Sequence, residues 1–212
     1  MKRMIMAALA MLLCLIFAGM GLADTSVGST GWYEGDGYYY EGDGYYYDGA
    51  YYYNTFTSPR TAQTLMRVAS RSGPGTNYDE LGSYHKKGYT LTVLSRAYDE
   101  RNGIWWLQVE LSYGSELRRM YTGLKRVDID INTVQDETPL YFARVNSDNI
   151  PYYGPGTAYT AHKNAIAAGT EGIVYAFEDG WMLFEFYNAD KDRYRRVWMP
   201  IERLDIISYV TY

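Results

Sequence analysis

Residues 71–88 read RSGPGTNYDELGSYHKKG, and residues 152–169 repeat this stretch as YYGPGTAYTAHKNAIAAG. The shared Gly-Pro-Gly-Thr, the tyrosine two positions after it and the final glycine all recur at an offset of 81 residues. A second block, RRMYTGLKRVDI at residues 118–129, recurs as RRVWMPIERLDI at residues 195–206, at an offset of 77. Two blocks in the same order and at nearly the same spacing predict the duplication of a whole folding unit.

Each copy carries short β-strand patterns and no helical period. Apolar residues and threonine alternate in YTLTVLS of the first copy, and IWWLQVEL of the first copy and GIVYAF and WMLFEF of the second are further strand patterns. Polar loops separate them, YDERNG at residues 98–103 and Glu-Asp-Gly at residues 178–180. The predicted strands are residues 89–95, 104–111, 119–122, 172–177, 181–186 and 195–199. Strands this short and closely spaced predict an all-β chain with two small, strongly bent β-barrels, residues 56–130 and 138–212, joined by residues 131–137.

One tryptophan in each copy points away from the main apolar row. Strand alternation puts Trp106 on the face opposite Val109, and it puts Trp181 on the face opposite Phe184. Such a ring either packs at the end of a barrel or between the units, or forms an exposed platform for a ligand. Trp106 and Trp181 are therefore candidate ligand-binding residues.

The first copy resembles the bacterial SH3-like (SH3b) domain. The resemblance rests on RSGPGTNY at residues 71–78, Lys87-Gly88, Val93-Leu94 and the strand WLQV at residues 106–109. The second copy keeps GPGTAY, Gly169 and Trp181, but Tyr-Tyr replaces Arg-Ser before the loop and Ala168 replaces the lysine. The resemblance covers roughly residues 60–210. It implies a small barrel of five or six strands and a binding role, typically toward cell-wall peptides or glycans.

The Gly-Pro-Gly-Thr run is explained by turn formation alone. Proline presets φ, glycine supplies a positive φ, and threonine can bond back to the backbone. Tyr78 and Tyr159 follow the turns, where a ring can pack on the barrel while its hydroxyl stays solvated. Because this loop borders the ligand groove in SH3-like barrels, the resemblance makes both tyrosines candidate ligand-binding residues.

The N-terminus predicts a secretory signal peptide at residues 1–23. A basic start precedes an uncharged apolar run, and Gly-Leu-Ala at residues 21–23 offers small residues for cleavage before Asp24. An uncleaved membrane anchor is the alternative, since the run is nearly long enough to span a bilayer. Cys14, the single cysteine, lies inside the run, so the mature chain is expected to lack disulfides. We expect a protein that is secreted, either free or associated with the cell envelope, and that meets the membrane only during export.

Residues 24–55 are predicted to be a largely disordered linker. Its sequence from residue 32 is WYEGDGYYYEGDGYYYDGAYYYN, where glycine is dense and aliphatic residues are almost absent. A plain spacer is the simplest interpretation. The alternatives are tyrosines that adhere to sugars or surfaces, tyrosine cross-linking, and weak Ca²⁺ binding by the acidic residues.

The charge balance argues against a nucleic-acid partner. The formal net charge of −5 becomes −7 once Lys2 and Arg3 are removed, whereas nucleic-acid binding favours a basic surface. The repeated pairs Arg118-Arg119 and Arg195-Arg196 invite a phosphate or teichoic-acid interpretation. Nearby acids weaken it, and charges on exposed strands that discourage edge-to-edge aggregation are the simpler explanation.

No motif indicates an enzyme. The mature chain lacks the cysteine that a papain-like endopeptidase needs, no nucleophile-elbow motif is present, and no metal-ligand cluster or cofactor motif stands out. His85 and His162 occupy different positions in the two copies, each in a polar loop where a solvated ring is expected. We therefore expect a non-catalytic protein without a cofactor.

Two functions remain open. The first is a secreted binding protein whose two barrels recognise a cell-wall peptide, a glycan or another surface protein. The second is a structural or adhesive surface component that acts through the tyrosine-rich tract.

Overall fold

The chain is all-β in the part that the structure describes. The computed structural model describes residues 44–83, 85–113 and 115–211, which belong to one compact unit. The predicted signal peptide and linker residues 24–43 lie outside this part. The strands are β1 (Gly44–Tyr47), β2 (Ala50–Tyr53), β3 (Arg60–Thr64), β4 (Ala69–Arg71), β5 (Glu80–Ser83), β6 (Thr90–Asp99), β7 (Ile104–Tyr113), β8 (Glu116–Gly123), β9 (Val127–Asp128), β10 (Tyr141–Val145), β11 (Glu171–Glu178), β12 (Trp181–Asn188), β13 (Arg193–Pro200) and β14 (Leu204–Tyr209).

Helical structure in the described residues is limited to single 3-10 turns. They are Leu124–Arg126, Ile131–Thr133, Ala189–Lys191 and Ile201–Arg203. None of these turns has the length or the hydropathy of a membrane-crossing helix.

The two copies form two sheets with the same strand order. In the first repeat (residues 60–128) the order is β5-β4-β8-β7-β6-β3-β9, and in the second repeat (residues 141–209) it is β13-β12-β11-β10-β14. Strands β8, β7, β6, β3 and β9 thus correspond to β13, β12, β11, β10 and β14. A 3-10 turn follows β8 and β13 alike and carries the chain across to the opposite end of its sheet. The six predicted strands all lie within or overlap these elements.

The sheets are not closed barrels, so that part of the prediction is wrong. β5 and β9 end the first sheet, β13 and β14 end the second, and neither pair of end strands is hydrogen-bonded together. The curvature comes from a β-bulge at the same place in each repeat, between Val93 and Ser95 in β6 and between Val174 and Ala176 in β11. Bulges bend a strand without requiring closure of the sheet.

The alternation seen in the sequence selects the core of each repeat. Leu107, Val109 and Leu111 of β7 lie in the first core with Val93 and other buried apolar residues. Met182, Phe184 and Phe186 of β12 lie in the second core, whose other members include Ala143, Val174, Val197, Met199 and Ile201. Trp106 and Trp181 belong to neither core, as the alternation predicts.

A third apolar cluster lies between the repeats. It contains Leu94 of the first repeat with Ala176, Leu183 and Trp198 of the second, and Phe56 covers it. Leu94 is the bulged residue of β6, so the bend of that strand turns its side chain toward the other repeat. The two cores are therefore connected by buried apolar surface.

Residues 131–137 are packed against both repeats. Val134 belongs to the first core, while Asp136 pairs with Arg96 of β6 at 2.7 Å. Glu137 has a fully buried carboxylate that pairs with Arg196 of the second repeat at 2.8 Å. The division into two domains at residues 56–130 and 138–212 stays a prediction.

The prediction of a disordered linker is wrong for residues 44–55. Strands β1 and β2 form a hairpin whose turn is Asp48-Gly49, both with positive φ, which is the geometry that Asp-Gly favours. Tyr52 is only 9% exposed and packs its ring 5.4 Å from that of Phe177 in the second core. Tyrosine rings thus supply the apolar surface that the missing aliphatic residues would otherwise provide.

We predict that Tyr52→Ala destabilises the protein while Tyr53→Ala does not. Removing the buried Tyr52 ring leaves a cavity against Phe177 and should cost about 3 kcal/mol of unfolding free energy. Tyr53 is 71% exposed, so its replacement should change stability by less than about 0.5 kcal/mol. Denaturant unfolding of the two variants checks this, and equal midpoints would show that the hairpin does not contribute to the fold.

Candidate functional site

The repeats meet across a pseudo-twofold contact made by the Gly-Pro-Gly-Thr segments. The backbone N–H of Arg196 donates to the carbonyl of Ser72 at 3.2 Å, and that of Arg119 donates to Tyr153 at 2.7 Å. Ser72 and Tyr153 are equivalent at the offset of 81, and the two arginines are equivalent at 77. Each repeat therefore places its duplicated loop against the β8 or β13 strand of the other.

Tyr78 and Tyr159 cross this contact in opposite directions. The Tyr78 hydroxyl donates to Glu185 of the second repeat, and the Tyr159 hydroxyl donates to Glu110 of the first. Each ring lies directly over the first glycine of its loop. A Cβ at Gly73 would lie 2.1 Å from the Tyr78 ring, so only glycine permits this approach.

A buried arginine accompanies each tyrosine. The Arg196 guanidinium pairs with Glu185 at 2.6 Å and Glu137 at 2.8 Å, donates to the Tyr121 hydroxyl at 3.1 Å, and lies 3.6 Å from the centre of the Tyr175 ring. These contacts satisfy a charge that is almost completely removed from water.

The equivalent arginine, Arg119, is also held by two carboxylates, although the second one comes from the other repeat and not from the connecting segment. Arg119 pairs with Glu110 at 2.8 Å in its own repeat and with both oxygens of Glu178 in the second repeat, at 2.7 and 2.8 Å. Its guanidinium lies 5.3 Å from the Trp198 ring, where Trp198 is the counterpart of Tyr121. A buried arginine held by two carboxylates is therefore present twice at the contact between the two repeats, which we call the seam.

These contacts correct two expectations about exposure. Arg119 and Arg196 are buried, so the interpretation of both arginine pairs as exposed strand charges is wrong for these two. The Tyr78 and Tyr159 hydroxyls are bound to carboxylates instead of solvent, and burial raises the pKa of both groups well above the ordinary value. The structure gives the two tyrosines an inter-repeat role, and a ligand-binding role for them stays a prediction.

Trp106 lies in an open cleft of the first repeat. The Trp106 cleft has a volume of about 470 Å³ and lies beside the start of β7, the end of β8 and the Gly-Pro-Gly-Thr loop. Its apolar lining comes from Met66, Ala69, Ile104 and Trp106, and the remaining lining residues are Arg71, Thr76, Gly123, Lys125 and Arg126. The cleft thus combines an apolar floor with three cationic residues.

The indole of Trp106 is the distinctive group in this cleft. Trp106 is 8% exposed, and its Nε1–H has no hydrogen-bond acceptor among the described residues. Buried tryptophan N–H groups ordinarily find a partner. Gly123 is the cross-strand neighbour of Trp106, and a Cβ there would meet open space, so the glycine leaves room beside the indole.

The equivalent position in the second repeat is filled. Trp181 has Pro200 as its cross-strand neighbour in place of Gly123. The Tyr152 ring, which stands where the first repeat has Arg71, packs edge-on against Trp181 with 5.2 Å between the ring centres. Of the four predicted ligand residues, Trp106 therefore lines an open cleft and Trp181 serves packing.

His162 is buried, which corrects the expectation of a solvated ring. It is 7% exposed, stacks on Tyr153 with 3.8 Å between the ring centres, and places Nδ1 3.2 Å from Arg195. Burial, reinforced by the charges of Arg195 and Arg118, lowers the pKa of His162 to about 3. The ring is therefore neutral near pH 7.

Comparisons with known proteins returned no matching family model, curated protein or solved structure. Within the described residues, no group of three or more histidine, cysteine, aspartate or glutamate side chains is placed to hold a metal ion.

One feature of the sequence indicates the buried network of arginines and glutamates. Glu110 and Glu185, like Arg119 and Arg196, recur at equivalent positions on the strand faces opposite the core rows. Charges of the same sign at equivalent positions of both copies indicate a shared structural use.

We predict that Tyr78→Phe costs about 1–3 kcal/mol of stability, since it removes a hydrogen bond to a buried carboxylate. Tyr159→Phe should behave alike, and Tyr209→Phe, on a ring that is 70% exposed, is the matched control. A double-mutant cycle of Tyr78→Phe with Glu185→Gln should show a coupling energy above about 0.5 kcal/mol. Additive effects would disprove the cross-repeat bond.

We predict that His162 makes stability fall as the pH is lowered from 6.5. Its pKa is about 3 in the folded chain and near 6.5 when unfolded, so between these values the unfolded state binds the extra proton. The loss should approach about 1.4 kcal/mol per pH unit. It should be absent from His162→Phe, which keeps a ring to stack on Tyr153. Parallel pH profiles of unfolding free energy for the two proteins would contradict this assignment.

Proposed function

We propose that this chain is a secreted, non-catalytic binding protein whose Trp106 cleft binds peptide or glycan ligands of the bacterial cell envelope. The observation that carries the proposal is the Trp106 indole N–H, which is buried without an acceptor at an apolar cleft with a cationic rim. A ligand that presents a carbonyl or carboxylate oxygen would satisfy it.

The composition of the cleft favours a ligand with an apolar body and a negative end. The Arg71 guanidinium donates to the carbonyl of Tyr78 at 2.9 Å and lies 3.6 Å from Glu80, so it is held in place at the rim. Lys125 and Arg126 belong to the 3-10 turn after β8. A peptide that ends in a carboxylate meets both requirements, because its side chains can cover Ile104 and Met66 while its charge faces the rim.

An SH3-like architecture is part of this proposal. It is supported by the shared strand order of both sheets and by the 3-10 turn that joins β8 to β9 and β13 to β14. The motif RSGPGTNY, which carries the resemblance, forms the loop beside the Trp106 cleft. In this proposal the first repeat binds the ligand, and the second repeat supports it through the seam.

A second candidate function is adhesion through the tyrosine-rich tract. Tyr51 and Tyr53 of the hairpin are 50% and 71% exposed, and their rings stack with 6.3 Å between centres. Paired exposed rings can adhere to sugars or other surfaces. Because Tyr52 is buried in the second core, removal of the whole tract would damage the fold, so substitutions are preferable to truncation.

We predict that Trp106→Phe and Gly123→Leu each weaken sedimentation with purified cell-wall sacculi. The first change replaces the indole with a smaller ring that has no N–H donor, for which a loss of about fivefold or more is expected, and the second obstructs the cleft. The φ of −67° at Gly123 accommodates any L-residue, so Gly123→Leu should keep the melting temperature.

Two matched controls separate the candidate functions. Trp181→Phe makes the same chemical change at the filled position of the second repeat and should leave binding unchanged. Replacement of Tyr51 and Tyr53 by serine should also leave it unchanged. Loss of binding only in the serine variant would favour adhesion through the tract and overturn the cleft proposal.

A further inference from the structure

A second cleft lies at the seam of the two repeats, away from Trp106, and has a cationic lining. It measures about 470 Å³ and is lined by Arg118 of β8 together with Lys163, Lys191 and Arg195 of the second repeat. Glu116 is the one acidic residue among its lining residues. We call this the seam cleft. Four cations in one cleft are notable in a chain whose net charge is −5.

The ion pairs in the seam cleft leave an excess of positive charge. Glu116 pairs with Arg118, and Asp79 pairs with Arg195 at 2.9 Å and lies 3.7 Å from Lys191. Two carboxylates thus face four cationic groups. Because a bound anion in a cleft is partly shielded from water, its attraction to these cations would be screened less there than on an open surface.

A comparison of the two repeats shows which carboxylate is missing. Asp79, which neutralises Arg195, corresponds to Thr160 at the offset of 81, and Arg195 itself corresponds to Arg118. The second repeat therefore supplies a neutral threonine where the first supplies a carboxylate. Glu116 pairs with Arg118 in place of this carboxylate, so the excess positive charge of the seam cleft comes from its two lysines, of which Lys191 also lies near Asp79.

The orientation of His162 adds a buried donor without an acceptor. A guanidinium can only donate, so His162 Nδ1 accepts from Arg195 and the ring proton resides on Nε2. This Nε2–H is buried and has no acceptor among the described residues, although His162 lines the seam cleft. His162 has no counterpart in the first repeat, where Leu81 stands at the equivalent position.

We propose that the seam cleft binds a phosphate group, either as inorganic phosphate or as a phosphate ester. The Nε2–H of His162 and the lysines of the cleft donate to different oxygens of the phosphate. Arg118 and Arg195 add a positive electrostatic potential that attracts the anion. A tetrahedral phosphate presents several oxygens to donors on different sides, whereas a carboxylate presents two in one plane. This site is separate from the Trp106 cleft and does not depend on its function.

The test is a titration of the full chain with inorganic phosphate, followed by the NMR signals of the histidine rings. The chain has two histidines, so His85, stacked on Tyr89 in the first repeat, is an internal control. The His162 signals should shift saturably while the His85 signals stay in place. Equal shifts of both rings, or no saturable shift with any phosphate compound, would overturn the proposal.

Variants and competing ligands test whether binding is specific to this cleft and to phosphate. Lys163→Ala and His162→Phe should each weaken phosphate binding by about fivefold or more, whereas Lys87→Ala, an exposed lysine of the first repeat, should have no effect. Tighter binding of glycerol phosphate than of inorganic phosphate would identify an ester as the ligand, and the reverse would identify the free ion. Acetate that binds as tightly as either, or an equal effect of Lys87→Ala, would show a nonspecific charge effect and refute the site.

Discussion

The structure depends on the compensation of two buried charges, the guanidinium groups of Arg196 and Arg119. An arginine charge withdrawn from water is costly unless carboxylates and hydrogen-bond acceptors surround it. Here each arginine receives one carboxylate from its own repeat, Glu185 for Arg196 and Glu110 for Arg119. A second carboxylate comes to Arg119 from Glu178 of the other repeat and to Arg196 from Glu137 of the connecting segment. Separation of the repeats would leave Arg119 half compensated and would break the hydrogen bond from Tyr78 to Glu185 beside Arg196. The two sheets are therefore expected to fold and unfold together, although each has its own apolar core.

This constraint explains where binding surface is available. Each strand has a second face, opposite its core row, to which the sequence alternation assigns no core residues. These faces are largely used for the contact between repeats. Glu110 and Glu185 hold the partner tyrosines there, and Leu183 joins the apolar cluster at the seam. Trp106 does not take part in the contact between the repeats, because it lies at the start of β7, beside the space that Gly123 leaves open. Its open cleft is a consequence of position along the strand.

Much of the fold could be predicted from the sequence, because it follows from local rules. Alternation identified the strands and the core faces, and the repeated blocks identified the duplication. The errors concern long-range contacts. The hairpin at residues 44–53 has a glycine-rich, low-complexity sequence, and only the docking of Tyr52 on Phe177 makes its folding favourable. Burial of His162 depends on Tyr153 and Arg195 of its own repeat, which the fold brings against its ring. Contacts of these kinds leave no periodic signal in the sequence.

The duplicated architecture also separates structural residues from those available for function. Several positions that build the seam carry the same residue in both repeats: Gly73 and Gly154, Tyr78 and Tyr159, Glu110 and Glu185, Arg119 and Arg196. A change at any of them would unbalance one half of a symmetric network. Positions around the two clefts differ instead: Arg71 becomes Tyr152, Asp79 becomes Thr160, Leu81 becomes His162 and Gly123 becomes Pro200. The exchanges at Arg71 and Gly123 fill the tryptophan cleft of the second repeat. Those at Asp79 and Leu81 remove a carboxylate from the seam and add an imidazole donor. Both candidate ligand sites therefore lie at positions where the two copies differ.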